Sequence, residues 1–591
     1  MRFRKSSTKP TSRKSGGIAA FILACAIVPA FAGAKNKVTF TPSPLTPQMV
    51  RLIDQASLHE KGVLHALVQR TPVVETYLQD FNPAPQLGFA PTSDDYFLGR
   101  VDFGQVIGDN QYEAPESRTK KRFLPGSKAF VDRLTHLFKI EYVPQGFVQM
   151  LLLDAYSFDR QHYRFKFVRR EFLGDVRTYE FDVAPQPGTG AGRFIGRIWI
   201  EDAGGNIVRF TGTYSAPKRG KGFYHFDSWR TNVQPGLWLP AAVFVEEHAR
   251  GATPDKASFL RAQTWIWGYA LRQPGSISDN ATVKIDAVQD QSDSSLDVGP
   301  LQASRMWAKQ AEQNIVDRLY QAGLLAAPSD FDKVLETVTN NLIITNNLVL
   351  SGPVRCRILL TTPLESLTIG NTILLSKGLV DTLPSEASLA SVVAFQLAQL
   401  VLGHQVDTEF AFPDKLMFQD QATFRRLPLH HTDADNEAAA KKAMELLKNS
   451  PYKDKLGSAG LYMEALKLRG KSLPSLMRPE LGDSLFTSAA DDQVWMSALI
   501  PGSPKLNMMD VNQVAALPLG SRLHVEPWTD AVDLLHVSAQ PVTSPSDKMP
   551  FEVTPIFFHL RRYEAAPKVP AVAEPSRTPG TEAPGPPGSQ E

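Results

Sequence analysis

Between about Ala129 and Leu271 apolar and polar residues alternate with a period of two. The stretches RFKFVRREF, RTYEFDV, RFIGRIWIED, IVRFTGTYS, WLPAAVFVEEH and RAQTWIWGYAL all do so, between turn signals, and each predicts a strand. Asp202-Ala-Gly-Gly-Asn206 reads as the hairpin turn joining two of them. Strands so spaced, rich in Trp, Tyr and Phe, predict a strongly curved antiparallel sheet that closes on itself or has its concave side covered. Upstream, residues 40–125 combine a helical stretch, Gln48–Val68, with a loop-rich segment, FNPAPQLGFAPTSDDYFLGRVDFG. Downstream, helical patterns over Leu301–Leu325 and Asp330–Asn341 precede strand-like RCRILLT and GNTILLSKGLV.

A further helix pattern begins at Pro384, with Ser385 and Glu386 in its first turn, and ends at Gly403. Its residues are apolar almost without break from Leu389 to Leu402, so it is buried on most sides. Gln396 and Gln399 stand a turn apart within it. An unpaired amide in a core costs roughly 1–3 kcal/mol, so both glutamines need hydrogen-bonding partners.

At 591 residues the chain is too long for one core. The pattern divides it into a signal (1–34), a helical and loop segment (35–125), a β domain (126–275), a linker (276–300), a helical domain (301–480), a C-terminal α/β extension (481–564) and a tail (565–591). The Pro-rich tail lacks aromatic residues and is expected to be disordered. Lys and Arg number 63 against 61 Asp and Glu, a balance that offers no basic face for a nucleic-acid partner. The N-terminus departs from it. Six basic residues precede an apolar run, Ile18–Phe31, followed by the small-x-small sequence Ala30-Phe31-Ala32. This predicts a cleaved secretory signal and an exported protein of the periplasm or cell envelope. Retention as an anchor, or lipidation at Cys25, would instead attach the N-terminus to a membrane. Cleavage leaves Cys356 alone, so no intrachain disulfide forms, and Cys356 reads as a small buried apolar side chain.

The stretch GRIWIEDAGGNIVRFTGTY resembles the LolA/LolB-type carriers of lipoproteins. The resemblance implies an unclosed β-barrel around an apolar cavity, with an acyl chain or lipoprotein as partner. A second stretch, LTIGNTILLSKGLVDTLPSEASLASVVAFQLAQLVLGH, resembles the metallopeptidases of the HtpX, BepA and CAAX-prenyl protease type. There an edge strand and a "GL" turn lead into a helix bearing H-E-x-x-H, and a later helix supplies a ligand glutamate in E-x-x-A-D. On this chain the ligand positions fall on Phe395, Gln399 and Glu437, and the general base on Gln396. Ala440 fits the alanine of the later pattern, and Lys441 stands where that family has aspartate. The expected fold is therefore α+β, a curved LolA-like sheet followed by a mainly helical, gluzincin-like peptidase domain.

The chemistry at those positions is gone. Zinc needs imidazole, thiolate or carboxylate donors. Phe395 offers none, Gln399 only an amide oxygen, and Gln396 cannot accept a proton from water. Glu437 precedes Lys441 by four residues and has a helical ion pair as its alternative role. His404, nine residues after Phe395, projects to the opposite face of a continuous helix. His430 and His431 are adjacent, and such pairs are usually solvated. The first reading is a cell-envelope pseudopeptidase without metal. It would bind a peptide, or an unfolded or outer-membrane protein segment, along the family's edge strand, here Gly370, Asn371, Thr372, Ile373 and Leu374. The alternatives are a zinc metalloendopeptidase with an unconventional site using His404, His430 or His431, and a lipid or lipoprotein carrier acting through the β domain.

Overall fold

A computed structural model describes residues 44–84, 88–103, 108–111, 146–154, 157–189, 192–215, 225–248, 259–269, 300–408, 429–479, 481–488, 493–507, 519, 523–525, 532–534 and 560–563. The expected signal, Cys25, nearly all of the linker and the tail lie outside these residues. Among them no helix is long and apolar enough to cross a membrane.

Ten strands form one antiparallel sheet: β1 (Val73–Ala84), β2 (Gly88–Asp102), β3 (Gly108–Gln111), β4 (Tyr163–Leu173), β5 (Val176–Pro185), β6 (Phe194–Glu201), β7 (Ile207–Tyr214), β8 (Phe226–Gln234), β9 (Leu237–His248) and β10 (Phe259–Trp267). Their order is β3-β2-β1-β10-β9-β8-β7-β6-β5-β4, with different strands at the two ends, so the sheet is open among the described residues. The alternating stretches occupy β4 to β7, β9 and β10 as expected. The sheet begins at Val73 rather than near Ala129, because the segment expected to be loop-rich supplies β2 and the end of β1. Its prolines misled. Pro83 lies beyond the last β10 partner of β1, at Phe81, and Pro91 lies well before Gly99, where β2 first meets β3. A residue without an N–H fits such unpaired edges. The β8–β9 register shifts twice, at Trp229/Arg230 and at Asn232/Gln234.

Helix α1 (Pro47–Val68) covers the inner face of the sheet. Thr46 caps it by accepting the Met49 N–H, and Pro47 opens it. Ile53 and Ala56 pack into the apolar cluster formed by Phe194, Phe210, Phe226 and Val243. A short 3-10 turn, Gly146–Leu151, adds Met150 and Leu151 to the same cluster.

The second half builds a four-stranded sheet from β11 (Arg355–Leu359), β12 (Glu365–Ile369), β13 (Thr372–Ser376) and β14 (Asp483–Ser484), in the order β11-β13-β12-β14. Around it stand α2 (Pro300–Gln321), α3 (Asp330–Thr345), α4 (Lys377–Thr382), α5 (Glu386–Leu402), α6 (Asp433–Lys448), α7 (Leu456–Arg469) and α8 (Pro474–Met477). β14 comes from beyond residue 480, so this sheet draws on the segment expected as a C-terminal extension. Cys356 is buried, and burial pushes its thiol up to about 11.

The two halves meet on buried carboxylates of the outer sheet face. Glu75 accepts the Thr362 N–H at 2.6 Å, its hydroxyl at 2.7 Å and the Tyr96 hydroxyl at 2.9 Å. Asp94 accepts the N–H groups of Ser475 at 2.9 Å and Leu476 at 2.8 Å, and the Tyr77 hydroxyl at 3.0 Å. Burial raises Glu75 to about 7 and Asp94 to about 6, against the lowering effect of those donors. With its pKa raised, each carboxylate binds protons more readily in the folded chain than in the unfolded one. Stability from this joint is therefore greatest near pH 4 and is lost as pH rises through 6 to 7. Glu75→Gln can keep all three contacts, with the Thr362 hydroxyl accepting instead of donating. It should melt higher than the parent at pH 8, by an amount on the order of a few kcal/mol, and show a smaller change in melting temperature between pH 5 and 8.

Candidate functional site

Helix α5 carries the positions expected to form a zinc site. Ser385 caps it by accepting the Ser388 N–H, and Gly403 ends it in the left-handed conformation at φ 74°. Phe395 and both glutamines are completely buried. Phe395 packs into the apolar core of the second half. The Gln396 amide donates to Ser366 Oγ at 2.8 Å and Asp483 Oδ2 at 3.2 Å, and its oxygen accepts the Thr368 hydroxyl at 2.8 Å. The Gln399 amide donates to Asn436 Oδ1 at 2.7 Å, while its oxygen meets His404 Nδ1 at 2.5 Å. The buried amides thus have the partners that the sequence required.

Several expectations fail for local reasons. His404 does not project away from the site: Gly403 ends the helix, and the reversed chain brings the imidazole back over the last turn. His431 is buried rather than solvated, whereas His430 is exposed. Asp483 holds His431 twice, at 2.7 Å from the backbone N–H and at 2.7 Å from Nδ1. The His404 and His431 rings lie 6.5 Å apart. Glu437 points into solvent and pairs with Lys441 at 2.7 Å, and Asn436 takes the inward position beside Gln399. Asn436 and Asp483 are the members that sequence reasoning missed. Asp483 lies far along the chain and within no motif.

Zinc does not fit these residues. Phe395 has no donor, the amide oxygens are engaged by Thr368 and His404, and Glu437 faces outward. Among the described residues no group of three or more His, Cys, Asp or Glu is placed to hold a metal ion. The strand expected to bind peptide is no edge either. Thr372, Ile373 and Leu374 belong to β13, which pairs with β11 on one side and β12 on the other, and Gly370-Asn371 is the turn before it. Its backbone groups are committed to those neighbours.

The inner face of the large sheet is chemically different. Phe194 meets Phe210 edge to face at 5.7 Å, Phe210 meets Phe226 at 5.9 Å, and Tyr214 lies 5.3 Å from Phe226. Phe158 stacks edgewise on Phe165 at 5.6 Å, and Phe167 on Phe181 at 5.7 Å. Gly196 makes room for one ring, since a Cβ there would lie 2.7 Å from Phe194 Cζ. These rings belong to one buried apolar cluster, which α1 covers with Ile53 and Ala56.

No family model and no curated protein matches the chain. Solved structures do. One is described as a LolA superfamily protein from Nitrosomonas europaea, at 12% identity and a TM-score of 0.20, covering 36% of this chain and 94% of that one. Another is described as a putative outer membrane lipoprotein-sorting protein domain from Vibrio parahaemolyticus, at 9% identity and a TM-score of 0.19, covering 38% of this chain and 95% of that one. Likeness at these scores decides neither ligand nor activity; only this chain's own side chains can.

In the second half, Gln396→Ala removes the amide that joins Ser366, Thr368 and Asp483, and should cost about 1–3 kcal/mol in chemical denaturation. Gln396→Glu should cost more at pH 8, because it sets a second carboxylate against Asp483, and part of the loss should return at lower pH. Glu437→Ala should leave the melting temperature unchanged within error, as fits an exposed pair.

Proposed function

We propose that the protein is a carrier in the cell envelope that holds the acyl chain of a lipid or lipoprotein on the inner face of its large sheet. The aromatic lining carries this reading. It spans β4 to β8 of an open sheet and is covered by a helix that also buries small side chains, Ala56 and Ser57, against it. An open sheet can widen without breaking a closed ring of backbone hydrogen bonds. The basic, then apolar, N-terminal sequence supports export to the envelope. The second half serves this reading as a scaffold docked on the outer face. Peptide binding by strand addition loses its support because β13 is interior.

Protein purified from its native host and analysed by native mass spectrometry should carry acyl lipid. After delipidation it should bind a fluorescent long-chain acyl probe at one probe per chain. A delipidated, folded protein that takes up no probe would refute the carrier reading.

A further inference from the structure

The inner face is not wholly apolar. Arg230 of β8 lies beneath α1 and is 1% exposed, with its guanidinium 5.5 Å from the centroid of the Phe210 ring. Glu60 of α1 answers its charge, Nη2 to Oε2 at 2.7 Å, and Nη1 also donates to the Ile207 carbonyl at 3.2 Å. The Nε–H has no partner among the described residues. Two residues earlier stands Ser228, fully buried, cross-strand from Phe210 and Val243 and therefore on the same face. Its hydroxyl has no partner either. Unmet polar groups in an aromatic core are costly, and here two lie on one strand, one side chain apart. Their chemistry agrees, since both donate to oxygen.

Resting on the carrier reading, we propose that Ser228 and Arg230 are the head-group site for an anionic amphiphile, with a carboxylate or phosphate at one end and a long apolar chain along Phe210, Phe226 and Tyr214. The ion pair with Glu60 makes the site exchangeable. When the ligand enters beneath α1, its anion replaces the Glu60 carboxylate on the guanidinium, so Arg230 is never left as a bare buried charge. The incoming oxygens also reach the Nε–H and the Ser228 hydroxyl, which Glu60 leaves unmet. Charge-assisted bonds of this kind are the stronger class, so the anion is preferred over an uncharged head of equal chain length. Glu60 acts as competitor to the ligand, which gives its removal a sign opposite to that of a purely structural contact.

The test is displacement of a fluorescent acyl probe from the full chain by a fatty acid, by a lysophosphatidic acid and by the primary alcohol of matched chain length. Wild-type protein should prefer both anions to the alcohol by about tenfold or more. Arg230→Met should abolish the preference and keep alcohol binding. Glu60→Gln should tighten anion binding several-fold and leave the alcohol unchanged. If Arg230→Met does not fold because it strands Glu60, the double variant Glu60→Gln/Arg230→Met removes both charges and should show the same loss of preference. Equal binding of anion and alcohol by wild-type protein, or weaker anion binding by a folded Glu60→Gln, overturns the proposal while leaving the carrier reading in place. Displacement by inorganic phosphate alone overturns the amphiphile assignment. Failure of all three amphiphiles to bind overturns the carrier reading and the head-group site together.

Discussion

Pairing register carries one row of side chains across the outer face of the large sheet: Leu98, Glu75, Trp265, Ala242, Trp229, Arg209 and Trp199, each the direct partner of the next. Near its β6 end the Arg209 guanidinium lies between two indoles, 4.3 Å from the Trp199 ring and 4.5 Å from that of Trp229, while Asp227 holds it at 2.9 and 3.0 Å. Cation–π contact and a bidentate pair together keep a buried arginine neutralised at a place where three strands meet. The row fixes what can cover this face. At one end Glu75 takes Thr362 and the Lys377 ammonium lies over Trp265, so the second half docks there. At the other end Leu560 joins Trp199, Trp229 and Trp238, and Arg562 pairs with Glu201 at 2.8 Å.

The second half depends in the same way on polar groups being met in a dry place. Hydrogen bonds among Gln396, Gln399, Asn436, His404, His431 and Asp483 draw α5, α6, β12 and β14 together. Such a network is stiff only when every member is satisfied, and Gln396 and Gln399 both are. His431 is the exception, with Nε2 buried and unpartnered.

What the sequence made legible came from local chemistry. Ser385 and Gly403 marked the ends of α5, alternation marked six strands, and buried amides implied partners. What it hid was set by distance along the chain or by a single turn. The partners of Gln396 come from β12 and β14, and nothing local to Ser366 or Asp483 announces them. The position of His404 was lost because a helical wheel continues through a glycine that the real chain uses to reverse. Glu437 and Asn436 differ by one residue, and a rotation of about 100° per residue separates solvent from core. β1 was obscured because polar residues on both its faces, Glu75 and Gln79 on one and Thr76 on the other, are buried by neighbours that no periodicity shows.

The same burial decides which face of the large sheet a ligand can use. On the outer face Glu75 accepts hydrogen bonds from Thr362, Asp94 accepts from Ser475 and Leu476, and Arg261 donates to the Leu519 carbonyl, so lifting the second half would break all of these. That face is committed. On the inner face α1 is held by apolar contacts of modest size and by pairs to Arg160 and Arg230, of which the Arg160 pair with Asp54 is exposed and weak. The Glu60 pair is buried, so it cannot simply open; an anion must replace it. A neutral apolar chain brings nothing to take the place of the Glu60 carboxylate on the guanidinium, whereas an anionic amphiphile brings the replacement with it. The arrangement therefore couples access to the aromatic face to the charge of what enters, through Arg230, which strand alternation sets on the same face as Phe226 and Ser228.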